Sequence, residues 1–456
     1  MRISLGICLL LLATGCAHSA GKASAPSGAP PSEQAEQSYR ALNFPLCAEQ
    51  FRQAAEGAPE GEDRAEFFYR AAGCSALGGK AAPALELLKR SVQSGYFDPD
   101  HLRLNPELTS LHSLAGWQEV VAGAEANRGK APNPPMPVAV LAAIDVYGSR
   151  RADTEAVRRV LGLEVGKPVV PSRAIYSQQE ETLRKRFSLA FARVSFVYFF
   201  AGEDEGRAFI TVDLVDAEDA QRLRFLPVPT GHLEDPEGLI AQWLEYDTKS
   251  FQLMQKGQLD QEKPAECRVA HCIMGFGHPE LAPYEPRFVE KVPQVQDALT
   301  RVLREDANSG KRATAALLLA YTATPEQAVA RLVPSIRDPD GEVRNNVLRV
   351  LLATQKEAPR PLVELATVVD AISMPETTDR NKSLYLLKML LDDLKPEELQ
   401  AQRAPLIRQL GAQLVDMASL QQPIVREPAT EVLKLLSGER YETPEQWKAW
   451  LARQGR

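Results

Sequence analysis

The residue types best suited to chemistry gather once along the chain, in Cys267, His271, Cys272 and His278. Cysteine thiolate and neutral imidazole are common ligands of tetrahedral zinc, and a Cys beside a His is also the material of a nucleophilic site. The Cys-x4-Cys spacing matches no familiar structural zinc site, and zinc thiolates are less expected wherever thiols are oxidised. No metal ligand is therefore assigned. Cys267 and Cys272 are read instead as a candidate disulfide closing a small loop, with free thiols as the other outcome. An enzyme or metal centre around His271, Cys272 and His278 is the lesser alternative. No Ser sits in a Gly-x-Ser-x-Gly elbow, and no glycine-rich loop could cradle a phosphate. No catalytic or cofactor-binding residue is assigned, no cofactor is expected, and the chain is read as non-enzymatic.

The elements that carry these residues are bounded by composition. A chain of 456 residues has room for about three domains. Its 44% apolar content is that of ordinary globular protein. The net charge of −7, with no basic block, argues against a nucleic-acid partner. Of six cysteines, Cys8 and Cys16 stand near the N-terminus, which leaves Cys47, Cys74, Cys267 and Cys272. An even number fits two bridges without proving them.

The first residues place the chain in a compartment. Met1-Arg2 is a short basic start, and an apolar run follows from Leu5 to Ala13. That run is too short to span a bilayer, which takes about 20 apolar residues, but suits a cleaved export signal. Leu12-Ala13-Thr14-Gly15-Cys16 resembles the lipobox of bacterial lipoproteins, although Ala13 stands where Leu is commoner. The resemblance implies a signal peptide over 1–15 and a lipidated Cys16 as the first mature residue. It also implies export, with the body anchored to an envelope membrane and facing the periplasm. Ala17 rather than Asp after the Cys favours the outer membrane. Residues 16–32, rich in Ala, Ser, Gly and Pro, cannot bury a core and read as a flexible tether.

Beyond the tether the pattern is mainly α. Residues 33–127 carry two similar helical units, one with Tyr39, Ala41, Phe44, Cys47, Phe51 and Ala54, the next with Phe68, Ala71, Ala72, Gly79, Ala84, Leu88 and Ser91. This arrangement of small and large residues resembles tetratricopeptide (TPR) repeats. Leu108, Leu111, Leu114 and Trp117 would cap the stack. Cys47 and Cys74 fall on neighbouring helices. A bridge between them is open, but two buried thiols are expected. Residues 128–137 form a Pro-rich linker.

Residues 138–217 read as β-α-α-β-β, with helices at 154–161 and 173–187 and strands at 138–146, 191–200 and 207–216. In the last strand Ile210, Val212 and Leu214 alternate with Thr211 and Asp213, so one face is expected to be wet. The order, with Val146-Tyr147-Gly148-Ser149 after the first strand and Leu163-Glu164-Val165-Gly166-Lys167-Pro168-Val169 between the helices, resembles a POTRA domain. That family offers a sheet edge to other chains, a form of β-augmentation. Residues 218–289 read as an irregular or helical connecting region with the Cys pair. Its one clear helix starts at the N-cap Asp235 and contains Trp243 and Tyr246.

Residues 290–456 are helical and repetitive. Asp338, Val343, Arg344 and Val347 match the Asp-x-x-x-x-Val-Arg-x-x-Val signature of HEAT repeats, and Arg312, Arg344, Arg380 and Arg426 recur at about 32 to 46 residues. The resemblance implies an α-solenoid in which the Asp and Arg pair between units. Trp447 and Trp450 would cover its last seam. Taken together, the modules imply a scaffold or assembly adaptor tethered by a lipid in the cell envelope, binding a protein partner. A redox-responsive envelope sensor is the alternative.

Overall fold

The computed structural model describes residues 30–131, 135, 137–200, 202–255, 257–259, 267–272 and 274–454. Cys16, its lipobox and the tether up to residue 29 lie outside them, as do parts of the 128–137 linker and of 218–289. The chain is 64% helix and 8% strand, which places it in the mainly α class.

The N-terminal unit comprises α1 (Pro31–Arg40), α2 (Phe44–Gly57), α3 (Glu62–Leu77), α4 (Ala81–Gln93), α5 (Pro99–Leu104) and α6 (Trp117–Arg128). Each of α2, α3 and α4 packs on the helix before it. Cys47 on α2 and Cys74 on α3 are joined in a disulfide, where two buried thiols were expected. Both face one apolar cluster with Phe51 and Ala71, and the helix crossing brings their Cα atoms to 5.9 Å, within the span a bridge requires. With a sequence separation of 27, removing the bridge by Cys47→Ser with Cys74→Ser is expected to cost about 3–4 kcal/mol by loop-closure entropy. Denaturant unfolding of the two proteins checks this. Equal midpoints would mean that the thiols are unpaired in solution.

The central unit comprises β1 (Ala139–Tyr147), α7 (Thr154–Leu161), β2 (Pro168–Val169), α8 (Arg173–Phe187), β3 (Leu189–Tyr198) and β4 (Arg207–Asp216). The Asp153 carboxylate accepts from the Ala156 N–H at 2.7 Å to start α7, and Ser172 Oγ accepts from Ile175 N–H to start α8. The two-residue β2 was not foreseen; it lies in the stretch between the two helices. The sheet order is β2-β1-β4-β3, with β1 parallel to β4 and β3 antiparallel to it. Gly148 ends β1 with φ +91°, and a Cβ there would meet the Leu214 carbonyl oxygen at 2.4 Å, so only glycine fits the turn. Ile210, Val212 and Leu214 pack with Val157 and Leu183 of α7 and α8.

The opposite face of β4 is not wet. Thr211 is 1% exposed and Asp213 0% exposed. The alternation correctly separated the two faces, but what covers the polar one comes from more than 160 residues away.

That cover is the C-terminal helical array. It contains α9 (Leu239–Gln255), α10 (Tyr284–Glu305), α11 (Ser309–Leu318), α12 (Pro325–Leu332), α13 (Gly341–Glu357), α14 (Leu365–Ile372), α15 (Thr377–Asp392), α16 (Pro396–Ala418), α17 (Pro423–Ser437) and α18 (Pro444–Gln454). The pairs α10/α11, α12/α13, α14/α15 and α16/α17 pack side by side, while α11, α13, α15 and α17 stack one on the next. Trp447 and Trp450 on α18 are buried, and α18 packs on α16. Leu239, Trp243, Tyr246, Phe276 and Leu281, from the stretch read as a connecting region, belong to the same apolar core as α10 to α18. Tyr147 and Val197 of the sheet join that core too. Among the described residues, the apolar clusters of the N-terminal unit contain none beyond Ala124.

Candidate functional site

The Cys267–His278 stretch forms a loop stitched to α9 and α10. Cys267 and Cys272 are joined in a disulfide, with Cα atoms 5.7 Å apart. The Cys272 side is buried in the C-terminal core. Tyr246 of α9 donates its hydroxyl hydrogen to the Gly275 carbonyl at 3.1 Å and accepts from the Met274 N–H at 3.1 Å. Glu285 of α10 accepts from the Arg268 N–H at 3.0 Å. His278 Nδ1 accepts from the Glu280 N–H at 3.2 Å, a local turn contact.

His271 Nε2 is buried without a hydrogen-bond partner among the described residues. Burial, and then the positive charges of Arg349 and Lys382, push its pKa down to about 3. The imidazole is thus neutral over the whole physiological range. A neutral imidazole could act as ligand or base, but the bridge consumes both neighbouring sulfurs, so the loop offers no thiolate. Among the described residues no group of three His, Cys, Asp or Glu side chains could hold a metal ion. The Tyr246 and Glu285 hydrogen bonds and the burial of Cys272 tie the loop into the C-terminal core.

The burial of His271 carries a pH dependence with a definite sign. In the unfolded chain His271 takes up a proton near pH 6.5, whereas the folded imidazole resists it down to about pH 3. Below pH 6.5 the unfolded state therefore binds more protons, and stability falls as pH falls. At pH 4.5 the loss is expected to reach about 2–3 kcal/mol. Denaturant unfolding across pH 7 to pH 4.5 measures it. His271→Gln should flatten this part of the profile; parallel profiles for the two proteins would remove the account.

The densest constellation of functional groups lies elsewhere, where the sheet meets the helices. Its foundation is a ladder of three buried arginines, each the fourth residue of its helix: Arg312 of α11, Arg344 of α13 and Arg380 of α15. Arg312 of α11 makes a bidentate pair with Asp338 at 2.8 and 2.9 Å and donates to the Asp306 carbonyl at 2.9 Å. Arg344 of α13 pairs with Asp379 at 3.0 Å and Glu376 at 2.8 Å and donates to the Asp338 carbonyl at 2.8 Å. Each arginine thus reaches the chain leading into, or starting, the next stacked helix.

Arg380 of α15 breaks the series. Its position points toward α17, but the carboxylate it pairs with is Asp213 of β4. Asp213 also accepts from the Thr377 N–H at 2.8 Å and the Thr377 hydroxyl at 3.0 Å. The guanidinium lies over the Tyr147 ring, 4.1 Å from its centroid. Asp145 of β1 accepts from the N–H groups of Gln421 and Gln422, at 3.0 and 2.8 Å, where the positive end of α17 favours a carboxylate. Arg193 of β3 lies 3.5 Å from Glu376. Arg426, the last arginine of the sequence series, is half-buried, donates to the Gln421 carbonyl at 2.9 Å and lies 3.9 Å from the Glu427 carboxylate.

Burial sets the electrostatics. It raises the Asp213 carboxyl above its usual range against the pull of Arg380. It works to raise Glu376 as well, but Arg193 and Arg344 together hold that carboxyl below its ordinary value. Sequence reasoning found Arg312, Arg344 and Arg380 but missed Asp145, Arg193 and Asp213. The available signal was an ionisable residue inside each long strand, a placement that solvent alone does not require.

A smaller polar contact joins the N-terminal unit to α8. Glu107 accepts from the Tyr39 hydroxyl and from the Ser172 hydroxyl, the latter at 2.7 Å. Compared with known proteins, the chain matches no protein-family model and no curated protein.

Proposed function

We propose that this chain is a lipid-anchored scaffold or assembly adaptor of the bacterial cell envelope. In this reading Cys16 carries the lipid and residues 16–32 form the tether. The body faces the periplasm, with the outer membrane as the favoured anchor site. The N-terminal unit is TPR-like, the central sheet with its two helices POTRA-like, and the C-terminal array HEAT-like. The protein works by holding other proteins rather than by catalysis.

One observation carries the reading. The sheet is fastened to the helical array through Asp213–Arg380 and Asp145–α17, so two modules of types that usually bind proteins form one continuous framework. Buried cross-module pairs suit a body that must hold partners in fixed relation, whereas independent domains on linkers would need none.

Two experiments test the reading. Metabolic labelling with a palmitate analogue should mark the full chain and fail to mark Cys16→Ser; equal labelling of both removes the anchor. In-cell crosslinking from a photoreactive residue on the helical array should yield a dominant protein adduct. Absence of protein adducts at every probed position would remove the scaffold role.

A further inference from the structure

Residues 223–235 connect the sheet toward α9 with no helix or strand beyond a single bridge of Gly231 to Asp306, yet they are held at both ends. The Leu226 N–H donates to the Arg337 carbonyl at 2.8 Å, and Arg337 Nη1 donates to the Arg224 carbonyl at 3.1 Å. The Phe225 ring faces the Arg344 guanidinium, 4.8 Å from the ring centroid. At the other end the Gly231 N–H donates to the Glu305 carbonyl at 2.9 Å, and its carbonyl accepts from the Ala307 N–H at 2.7 Å. A Cβ at Gly231 would meet the Glu305 oxygen at 2.6 Å, so the close approach requires glycine. Leu233 is fixed in turn by Asp306 at 2.9 Å and Lys311 at 2.8 Å.

Between these anchors stands Leu226-Pro227-Val228-Pro229. Leu226 is 41% exposed and Val228 61%, the most exposed large apolar side chain among the described residues. Pro227 is exposed as well. Single exposed apolar residues are ordinary, but three in succession on a fixed strap, followed by the half-buried Pro229, form an apolar run that the fold leaves largely in water. The prolines also set the backbone. Each fixes its own φ, and each keeps the residue before it in the extended or polyproline II region. The strap is therefore a preformed ligand: two apolar–proline dipeptides in extended form, paid for in ordering before any partner arrives.

We propose that residues 226–229 are a docking epitope for a protein whose groove is lined with aromatic side chains. Such grooves take apolar–proline dipeptides between parallel rings and gain from a ligand that needs no further ordering. This goes beyond the scaffold reading, since it assigns the contact to the strap rather than to the sheet edge or to the helical repeats.

The test uses the full chain in its own cells, with a benzophenone amino acid in place of Thr230, an exposed neighbour that leaves the epitope intact. The expected result is a single protein adduct whose crosslinked peptide carries Trp or Tyr. The yield should fall at least about tenfold in Leu226→Ser with Val228→Ser, as for removal of an interface anchor. The purified partner should bind a synthetic peptide of residues 222–233, and bind its Pro227→Ala, Pro229→Ala form more weakly. The thermal midpoint of the double serine variant should stay unchanged. Four results would overturn the proposal: no adduct, an adduct to lipid or to a second copy of this chain, an undiminished yield in the double variant, or a lowered midpoint, which would show that the two side chains pack within the fold.

Discussion

Replacing Asp213 by alanine is expected to destabilise the protein by about 3–5 kcal/mol, the cost of leaving a buried charge without its partner. Arg380 is fully buried, and its guanidinium pairs with Asp213 across the module boundary. The Thr377 N–H and hydroxyl would lose their acceptor at the same time. Asp213→Asn keeps an oxygen for Thr377 and should fall between the alanine variant and the parent. The measurement is equilibrium unfolding in denaturant, with hydrogen exchange at the start of α15 as the local readout. An effect below about 0.5 kcal/mol, typical of exposed positions, would mean that the polar face of β4 is open to water after all. The same experiment bears on the proposed scaffold role, because the pair is one of the contacts that fasten the sheet to the helices.

The second large effect belongs to Trp243. Its side chain is 1% exposed and its ring sits 5.3 Å from those of Tyr246 and Phe288 and 6.2 Å from that of Tyr321, centroid to centroid. Trp243→Ala should cost about 3–5 kcal/mol, since the cavity it leaves is walled by aromatic rings that cannot collapse into it. Phe288 and Tyr321 belong to the helical array, so the loss should appear in the main unfolding transition of that array. A separate early transition, with the main one unmoved, would show residues 239–289 to be an independent element.

Much of the secondary structure was legible along the chain because it is written locally. Asp153 and Ser172 cap the helices that the apolar spacing places after them, and β4 begins and ends where its alternation does. Arg312, Arg344 and Arg380 stood out by their recurrence. The two-residue β2 was not legible, since a pair of extended residues carries no periodicity. Nor was the Cys47–Cys74 bridge, because proximity of two thiols on neighbouring helices depends on the angle and register of the crossing.

The sequence by itself determined the class of each segment: helical at both ends, one short sheet between, and a ladder of arginines awaiting carboxylates. These follow from neighbours a few residues apart, whose spacing sets which face of each element is apolar. Only the tertiary structure decided where the polar face of the sheet goes. Asp213 read as solvent-facing because a charged side chain in a strand satisfies itself most simply in water, and Asp145 was missed altogether. Asp213 and Asp145 are buried because Arg380 and the N-terminus of α17 supply the compensating charge and donors. Those partners stand some 167 and 277 residues further along, a distance over which no local pattern can speak.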